Sequence, residues 1–320
     1  MQQRRIGETG LKVSAISLGS WLATGEGKDS RLVADTIRTA YSLGITAFDT
    51  ANVYGLGEAE RLLGETLRPY ERSSYVLSTK AFWPVGPGAN DRGLSRKHLT
   101  DQLHASLQRQ QTDYVDLFYC HRYDAETPLY ETLRTLEDFV RQGKILYVGV
   151  SEWTAEQIKT AAKLADKYLW DRIVVNQPLY NLLNRAIEAE VVPVSAKYGI
   201  SQVVFSPLCG GLLTGKYERG KTPPPGSRAA SVRTAAFVER YMTDENWLKI
   251  ERLRALSKEI GVPLAQLSLA WVLAQPHVSS AIIGASRPEQ VRDNLRAVDV
   301  VMSEELLTLV AEAVRDEEEE

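Results

Sequence analysis

The chain has 320 residues, of which 44% are hydrophobic and 25% charged, as in an ordinary globular protein with a large core. Its 38 basic and 41 acidic residues give a net charge of only -3, which does not support binding to nucleic acid or to an anionic membrane surface. Residues 1–5 lead into no apolar stretch and no apolar run approaches a membrane span, so the sequence predicts a cytoplasmic protein.

Residues 4–13 have the pattern of a small β-hairpin, in which Thr9-Gly10 supplies a turn residue that tolerates positive φ. Short β-branched or aromatic runs then alternate with longer amphipathic segments of helical period. Because strands that alternate with helices pair in parallel through right-handed crossovers, the rhythm predicts an α/β fold. The eight predicted strands are residues 14–18, 47–49, 75–78, 114–119, 145–150, 172–176, 202–205 and 280–283.

Two closures suit this rhythm, an open doubly wound sheet or a closed barrel. No Gly-x-Gly-x-x-Gly follows the first strand, where an open dinucleotide-binding sheet would have it, and this favours the barrel. A barrel of this kind accommodates residues 1–320 as one domain. Residues 210–231 form a long loop after the seventh strand, and long loops are usually functional.

Local signals mark some helix ends. Thr127 is predicted as an N-cap with Pro128 at the first helical position. Thr154 and Gln157 have the spacing of a capping box. Both patterns place helix starts just after predicted strands.

Catalytic residues of such barrels lie at the carboxyl ends of the strands, although any barrel also has polar strand ends because strands end at the surface. Of the four histidines, His98 and His104 lie on a helical pattern and are predicted at the surface. Cys120 and Cys209 cannot by themselves form a disulfide framework or a metal site, and no metal is predicted. The residues that end strands two to eight are Asp49, Lys80, His121, Ser151, Gln177, Ser206 and Gly284.

Three of these residues, together with Tyr54, have the chemistry needed to deliver a proton to a carbonyl oxygen. A free tyrosine has a pKa of about 10 and is a poor acid at neutral pH, but a nearby ammonium lowers that pKa. Lys80 would supply the ammonium, and Asp49 would keep it charged in a buried site. His121 would hydrogen-bond to the carbonyl. Taken singly, each feature also has a structural interpretation. An Asp–Lys pair is common as a structural salt bridge, and Tyr54, which Gly55 follows, could be an ordinary tyrosine in a loop.

Three motifs resemble those of the aldo-keto reductases: residues 48–55 their signature, 78–80 their lysine motif and 116–121 their histidine motif. Residues 93–98 and 205–208 resemble the branch that contains the potassium-channel β subunits and their bacterial relatives. The similarity covers essentially the whole chain, in order. It implies a (β/α)8 TIM barrel, preceded by the hairpin.

The resemblance implies NADP(H)-dependent reduction of aldehydes and ketones, and the reverse reaction. Tyr54 would donate the proton, supported by Lys80 and Asp49, with His121 orienting the carbonyl. Glu152 is left without a role, because many relatives have Asn or Arg there. The substrate pocket is assigned to Trp21, Tyr54, Trp83 and His121. The cofactor is assigned to Gly19, Ser20, Trp21, Asp49, Ser151, Gln177, Phe205, Ser206, Pro207, Leu208, Gly210, Lys216, Arg228, Gly284, Ser286, Arg287, Gln290 and Asn294.

Some of these assignments have an alternative without ligand binding. Lys216 and Arg228 would clamp the cofactor from the long loop. Arg287 would contact the 2′-phosphate, since a phosphate dianion favours a forked, permanently charged donor, but it could equally be a solvated surface charge. Ser286 and Glu289 have capping-box spacing, which is compatible with phosphate binding at a helix N-terminus.

Two other functions suit the same fold. A channel β-subunit-like partner would bind the cofactor and a membrane channel, but that branch tends to replace the histidine that this chain retains as His121. An aldolase-type enzyme would use Lys80 as a Schiff-base nucleophile, which requires a depressed pKa that a neighbouring Asp49 opposes. The sequence therefore favours the reductase, and leaves the physiological substrate and the oligomeric state open.

Overall fold

The centre of the computed structural model, which describes residues 1–21 and 29–316, is a closed barrel of parallel strands. Each strand pairs with its neighbours along the chain, and the last pairs with the first. The predicted TIM barrel is therefore confirmed. Its strands are β3 (Ile16–Gly19), β4 (Ala47–Asp49), β5 (Val76–Ala81), β6 (Val115–Cys120), β7 (Ile145–Ser151), β8 (Ile173–Gln177), β9 (Ser201–Phe205) and β10 (Val278–Ile283).

Helices follow the strands and pack their apolar faces against the outside of the barrel. In the helix Ala155–Tyr168 the predicted capping box is present, with hydrogen bonds of 2.9 and 3.3 Å, so this prediction is confirmed. No helix within the described residues is long and apolar enough to cross a membrane. The helices are α1 (Ser30–Ser42), α2 (Glu58–Leu67), α3 (Arg96–Gln110), α4 (Leu129–Arg141), α5 (Ala155–Tyr168), α6 (Val191–Lys197), α7 (Ala235–Glu239), α8 (Asp244–Glu259), α9 (Leu264–Ala274), α10 (Pro288–Leu295) and α11 (Glu304–Ala313).

The predicted hairpin consists of β1 (Gln3–Arg5) and β2 (Lys12–Ser14), which pair antiparallel. Ile6 and Val13 are buried and pack with the inward-pointing apolar side chains of the barrel strands. The hairpin thus covers the amino-terminal end of the barrel interior and leaves the carboxyl ends of the strands for other residues.

Two details of this region differ from the prediction. The positive φ of the hairpin is at Gly7 (51°) rather than at Gly10, and a Cβ at Gly7 would lie 2.2 Å from a backbone carbonyl oxygen. The first predicted strand, residues 14–18, is divided, because Ser14 ends β2 and the barrel strand begins at Ile16. One apolar run in the sequence therefore contains residues of two strands that belong to different sheets.

Two further predictions are wrong for identifiable reasons. Helix α4 begins at Leu129 with Pro128 in the N-cap position, because the Thr127 hydroxyl donates to the carboxylate of Asp124 (2.7 Å) instead of capping the helix. His98 is buried rather than on the surface, and its Nδ1 lies 3.0 Å from a backbone carbonyl oxygen. In both cases a side-chain hydrogen bond to a loop residue decides the outcome, and sequence spacing does not reveal it.

Candidate active site

Strand alternation brings the predicted site residues to one end of the barrel interior. On β5, Val76 packs among the inward-pointing side chains, whereas Leu77 and Ala81 pack in the outer layer against the helices. Because successive side chains alternate between the two faces of a strand, Ser78 and Lys80 also point inward, one and two steps closer to the carboxyl end. The same alternation on other strands places inward Gly19, Asp49, Ser151, Gln177 and Phe205.

A buried ion pair joins Asp49 at the end of β4 to Lys80 near the end of β5. The Lys80 ammonium also donates to the carbonyl oxygen of Thr50 (2.7 Å). The other carboxylate oxygen of Asp49 accepts from Ser78 Oγ (2.8 Å) and from Gln177 Nε2 (2.9 Å). Lys80 is completely buried, so Asp49 balances a charge that the barrel interior could not otherwise hold.

Tyr54 opens a short 3₁₀ turn that precedes α2, and the neighbouring residues fix this turn in place. Gly57 has a φ of 90°, and a Cβ there would lie 2.4 Å from Cδ of Arg109. Arg109 in turn donates to the buried carboxylate of Glu60 (2.6 Å). A glycine and a buried ion pair together therefore hold the turn that carries the tyrosine.

The Tyr54 ring lies 5.3 Å from Lys80 Nζ, so the expected pairing of tyrosine and ammonium is present. Burial raises the pKa of Tyr54 and prevails over Lys80, which lowers that pKa by its charge and by hydrogen bonding. The net pKa lies above 10.0, whereas the sequence suggested a lowered value. Tyr54 is therefore protonated at neutral pH, the state that a proton donor requires.

His121 follows β6 and faces Tyr54 across the opening of the barrel. The rings of His121 and Tyr54 lie 5.8 Å apart, and those of His121 and Trp83 lie 6.3 Å apart. Burial, followed by the charges of Lys80 and Arg122, holds the pKa of His121 well below 6.5. The ring is thus neutral at pH 7, and its buried Nδ1 forms no hydrogen bond within the described residues. A neutral imidazole can donate one hydrogen bond to a substrate oxygen.

These pKa shifts predict a flat pH profile for any reduction that uses Tyr54 as the acid. Between pH 6.5 and about 9, one unit below the ordinary tyrosine pKa, His121 stays neutral and Tyr54 stays protonated, so kcat for a neutral aldehyde should be constant. Above that range, kcat should fall as the phenol ionises. The measurement is kcat against pH at saturating NADPH, with His121→Asn as the control. An inflection near pH 6.5 that disappears in His121→Asn would contradict the neutral histidine.

Ser151 and Gln177 lie at adjacent strand ends and are already hydrogen-bonded. The Ser151 hydroxyl donates to the carbonyl oxygen of Gln177 (2.8 Å) and accepts from Nη1 of Arg122 (3.3 Å). Glu152, which was left without a predicted role, has a φ of 58°, and its carboxylate accepts from the backbone N–H of Leu179 (2.7 Å). The Glu152 carboxylate is therefore hydrogen-bonded to the loop after β8.

The long loop after β9 brings cations to the same end of the barrel. The guanidinium of Arg228 lies 5.6 Å from the ring of Trp21, which also contacts Phe237 (5.5 Å). Lys216 folds back over the loop, and its Nζ lies 2.8 Å from the position that a Cβ at Gly211 would occupy. Burial lowers the pKa of Lys216, and Arg228 lowers it further by its charge. Among residues 1–21 and 29–316, no carboxylate forms an ion pair with either cation, so this cluster is suited to an anion.

The segment after β10 completes this side of the site. Gln290 accepts from both the backbone N–H (2.8 Å) and the hydroxyl (3.2 Å) of Ser286, so the capping box expected with Glu289 is wrong. Arg287 occupies the N-cap position of α10, is exposed, and lies 4.0 Å from Glu289. Asn294 is buried on the same helix. Arg287 also lowers the pKa of Lys216, after burial and Arg228, so it lies near the cluster in the long loop.

The predicted residues thus fall into two neighbouring groups. Asp49, Tyr54, Lys80 and His121 form the first. Lys216, Arg228 and Arg287 form the second, since Lys216 lies near enough to both arginines for their charges to lower its pKa. The remaining predicted residues lie at the end of β3, at the end of β9 and in its following turn, or just after β10: Gly19, Ser20, Phe205, Ser206, Pro207, Leu208, Gly210 and Gly284.

Sequence reasoning missed three residues that contact the first group. Ser78 donates to Asp49, and its position two residues before Lys80 could have indicated it. Tyr119 is buried two residues before His121, and the centre of its ring lies 5.8 Å from Lys80 Nζ. Arg122 directly follows His121, and no pattern in the sequence indicates where its side chain points.

Comparisons with known proteins agree with this architecture. The model of the aldo/keto reductase family matches residues 15–315. The chain is 41% identical over 304 residues to a probable voltage-gated potassium channel subunit beta of Arabidopsis thaliana, covering 94% of this chain and 92% of that protein. It is 40% identical over 304 residues to the protein of the same name in Oryza sativa subsp. japonica, with the same coverage. A putative voltage-gated potassium channel subunit beta of Schizosaccharomyces pombe is 40% identical over 306 residues, covering 93% and 88%.

Proposed function

Because the chain belongs to the aldo/keto reductase family, we propose that it is an NADP(H)-dependent reductase of aldehydes and ketones, which also catalyses the reverse oxidation. The observation that carries this proposal is the buried Asp49–Lys80 pair beside Tyr54, opposite a neutral His121. We further propose that residues 1–320 form one reductase domain in the cytoplasm.

Tyr54 is the proton donor in this proposal. Its hydroxyl gives a proton to the carbonyl oxygen, and the tyrosinate that remains is stabilised by the ammonium of Lys80, whose charge favours the ionised phenol. Asp49 forms the buried ion pair with Lys80 and holds its side chain in place. His121 donates a hydrogen bond that orients the carbonyl oxygen towards Tyr54.

NADPH, when bound, would provide a hydride for the carbonyl carbon. Two features support its binding at the carboxyl ends of the strands. Lys216 and Arg228 are cations without an ion-pair partner in the described part of the chain, and they suit the phosphates. The buried hydroxyl of Ser20 likewise contacts no polar atom among the described residues and can bond to a ligand. Ser151 and Gln177 would exchange part of their present hydrogen bonds for the carboxamide.

A carbonyl panel tests the proposal. The purified protein is mixed with NADPH and a series of aldehydes and ketones, and NADPH consumption is followed. We expect turnover that depends on the carbonyl compound and on Tyr54. If NADPH binds but no carbonyl compound is reduced, the reductase proposal fails.

The cation cluster predicts that NADPH binds more tightly than NADH, with Arg287 contributing part of the difference. One charge-assisted hydrogen bond to the 2′-phosphate contributes roughly 1.5–3 kcal/mol, or about ten-fold or more in Kd. Arg287→Ala should therefore weaken NADPH binding and leave NADH binding nearly unchanged. Kd is measured for both cofactors by fluorescence titration.

Arg292→Ala is the matched control, since Arg292 is an exposed arginine of the same helix. Equal losses of affinity for NADPH and NADH would mean that Arg287 holds the loop or the pyrophosphate, and not the 2′-phosphate. No loss for either would identify Arg287 as a solvated surface charge.

The names of the relatives favour a second candidate function, a cofactor-binding partner of a potassium channel. Turnover separates the two candidates, because a partner protein needs to bind the cofactor but does not need to reduce a carbonyl. Rapid reduction by wild type, abolished in Tyr54→Phe, supports the enzyme. Tight NADPH binding without turnover of any carbonyl compound supports the partner.

A further inference from the structure

Arg122 lies at the mouth of the site, between the proposed acid and the end of β7. Its guanidinium carbon is 5.4 Å from the centre of the Trp83 ring, and Nη1 donates to the His121 carbonyl oxygen (2.5 Å) and to Ser151 Oγ (3.3 Å). Its charge lowers the pKa of both Tyr54 and His121, although burial is the largest influence on each. The cation therefore faces the space in which a substrate would meet these two side chains.

Most of the hydrogen-bonding capacity of Arg122 is unused. A guanidinium carries five N–H donors, and both of its hydrogen bonds come from Nη1. Within residues 1–21 and 29–316, no carboxylate lies within ion-pair distance, and Nε and Nη2 have no acceptor. The side chain is half-buried, and burial lowers its pKa. A half-buried cation that forms no ion pair within the described residues, at the mouth of an active site, is suited to an anionic ligand.

Glu152 limits which anion this would be. Its charge raises the pKa of Arg122, so the two side chains are near each other, but its carboxylate is hydrogen-bonded to the Leu179 N–H (2.7 Å). This acid would repel a phosphate dianion more strongly than a singly charged anion. A carboxylate carries a single charge and matches the planar fork of a guanidinium.

We propose that Arg122 determines substrate specificity by binding a carboxylate, so that the preferred substrates are aldehydes or ketones that also carry a carboxylate group. This inference rests on the proposed reductase function and names its substrate class. Trp83 holds the guanidinium against its ring, and the contacts of Nη1 with His121 and Ser151 leave Nε and Nη2 free for the ligand.

Two aldehydes of nearly equal size test the proposal, 4-carboxybenzaldehyde and 4-formylbenzamide, which differ in charge. The readout is the ratio of their kcat/KM values with NADPH, compared between variants so that intrinsic reactivity cancels. In Arg122→Gln the ratio should fall by about ten-fold, the effect of one charge-assisted hydrogen bond. Arg38→Gln is the control, because it removes one positive charge from the exposed surface of α1 and should leave the ratio unchanged.

Two further variants keep the test decisive if Arg122→Gln folds poorly. Arg122→Lys retains the charge and should retain most of the preference. Glu152→Gln keeps an acceptor for Leu179 and removes the nearby negative charge, so the ratio should rise. If both aldehydes are reduced in a Tyr54-dependent manner but the ratio stays within about two-fold of wild type in every Arg122 and Glu152 variant, the specificity proposal is overturned and the reductase stands. If wild type reduces neither aldehyde nor any other carbonyl compound, both proposals fail.

Discussion

Replacing Tyr54 with phenylalanine should lower kcat for carbonyl reduction by about 10²–10⁴-fold, the contribution of a positioned general acid. The substitution removes one hydroxyl and retains the ring, which lies edge-on to His121 with centroids 5.8 Å apart. The cation cluster around Arg228 belongs to the long loop and is not altered. We therefore expect unchanged Kd for NADPH, measured by fluorescence, beside a large loss in NADPH consumption.

Tyr41→Phe is the matched control for a lost tyrosine hydroxyl. Tyr41 lies on α1, where its hydroxyl hydrogen-bonds to Ser74 Oγ at 2.8 Å, remote from the barrel mouth. Its removal should leave kcat unchanged. If Tyr54→Phe reduces aldehydes at the wild-type rate, the proton comes from another group, and the buried neighbour Tyr119 would be the next candidate to test.

The site residues that lie on strands could be predicted from sequence, because the alternation of side chains and the position of the strand end together determine where each side chain points. Asp49 and Lys80 each lie at or near the carboxyl end of a parallel strand, and such ends meet at one rim. The family motifs add Tyr54, which lies on a turn and not on a strand. The direction of a side chain on a strand follows from the alternation along that strand, whereas the position of a residue on a turn could be predicted only from a family motif.

Burial and loop contacts could not be predicted in the same way. The pKa of Tyr54 is raised because burial outweighs Lys80, and spacing along the chain says nothing about how deeply a hydroxyl lies. Arg122 follows a strand, where alternation no longer fixes direction, so its stacking on Trp83 was not predictable. Ser286 bonds to Gln290 although the spacing to Glu289 suits a capping box. For Tyr54 and Arg122, tertiary contacts decide the outcome, whereas for Ser286 the choice is between two local partners that the sequence leaves equal.

Replacing Lys80 with methionine should impair both catalysis and folding stability. Asp49 would keep its charge in the barrel without a counterion, and removing one partner of a buried pair costs about 3–5 kcal/mol. Ser78 and Gln177 would still donate to the carboxylate, which places the expected loss towards the lower end of that range. The tyrosinate left after proton donation would also lose its stabilising cation, so kcat should fall. Urea unfolding and steady-state NADPH consumption measure the two effects.

The double variant Asp49→Asn/Lys80→Met separates the two roles. It removes both charges, and replacing a buried ion pair with neutral groups is often neutral for stability, so most of the lost unfolding free energy should return. Activity should not return, because the proposed stabilisation of the tyrosinate requires the ammonium of Lys80. If instead Lys80→Met unfolds at the wild-type urea concentration and reduces aldehydes at the wild-type rate, the pair contributes to neither property. If Lys80→Met is as stable as wild type but inactive, Lys80 has the proposed catalytic role and no structural role.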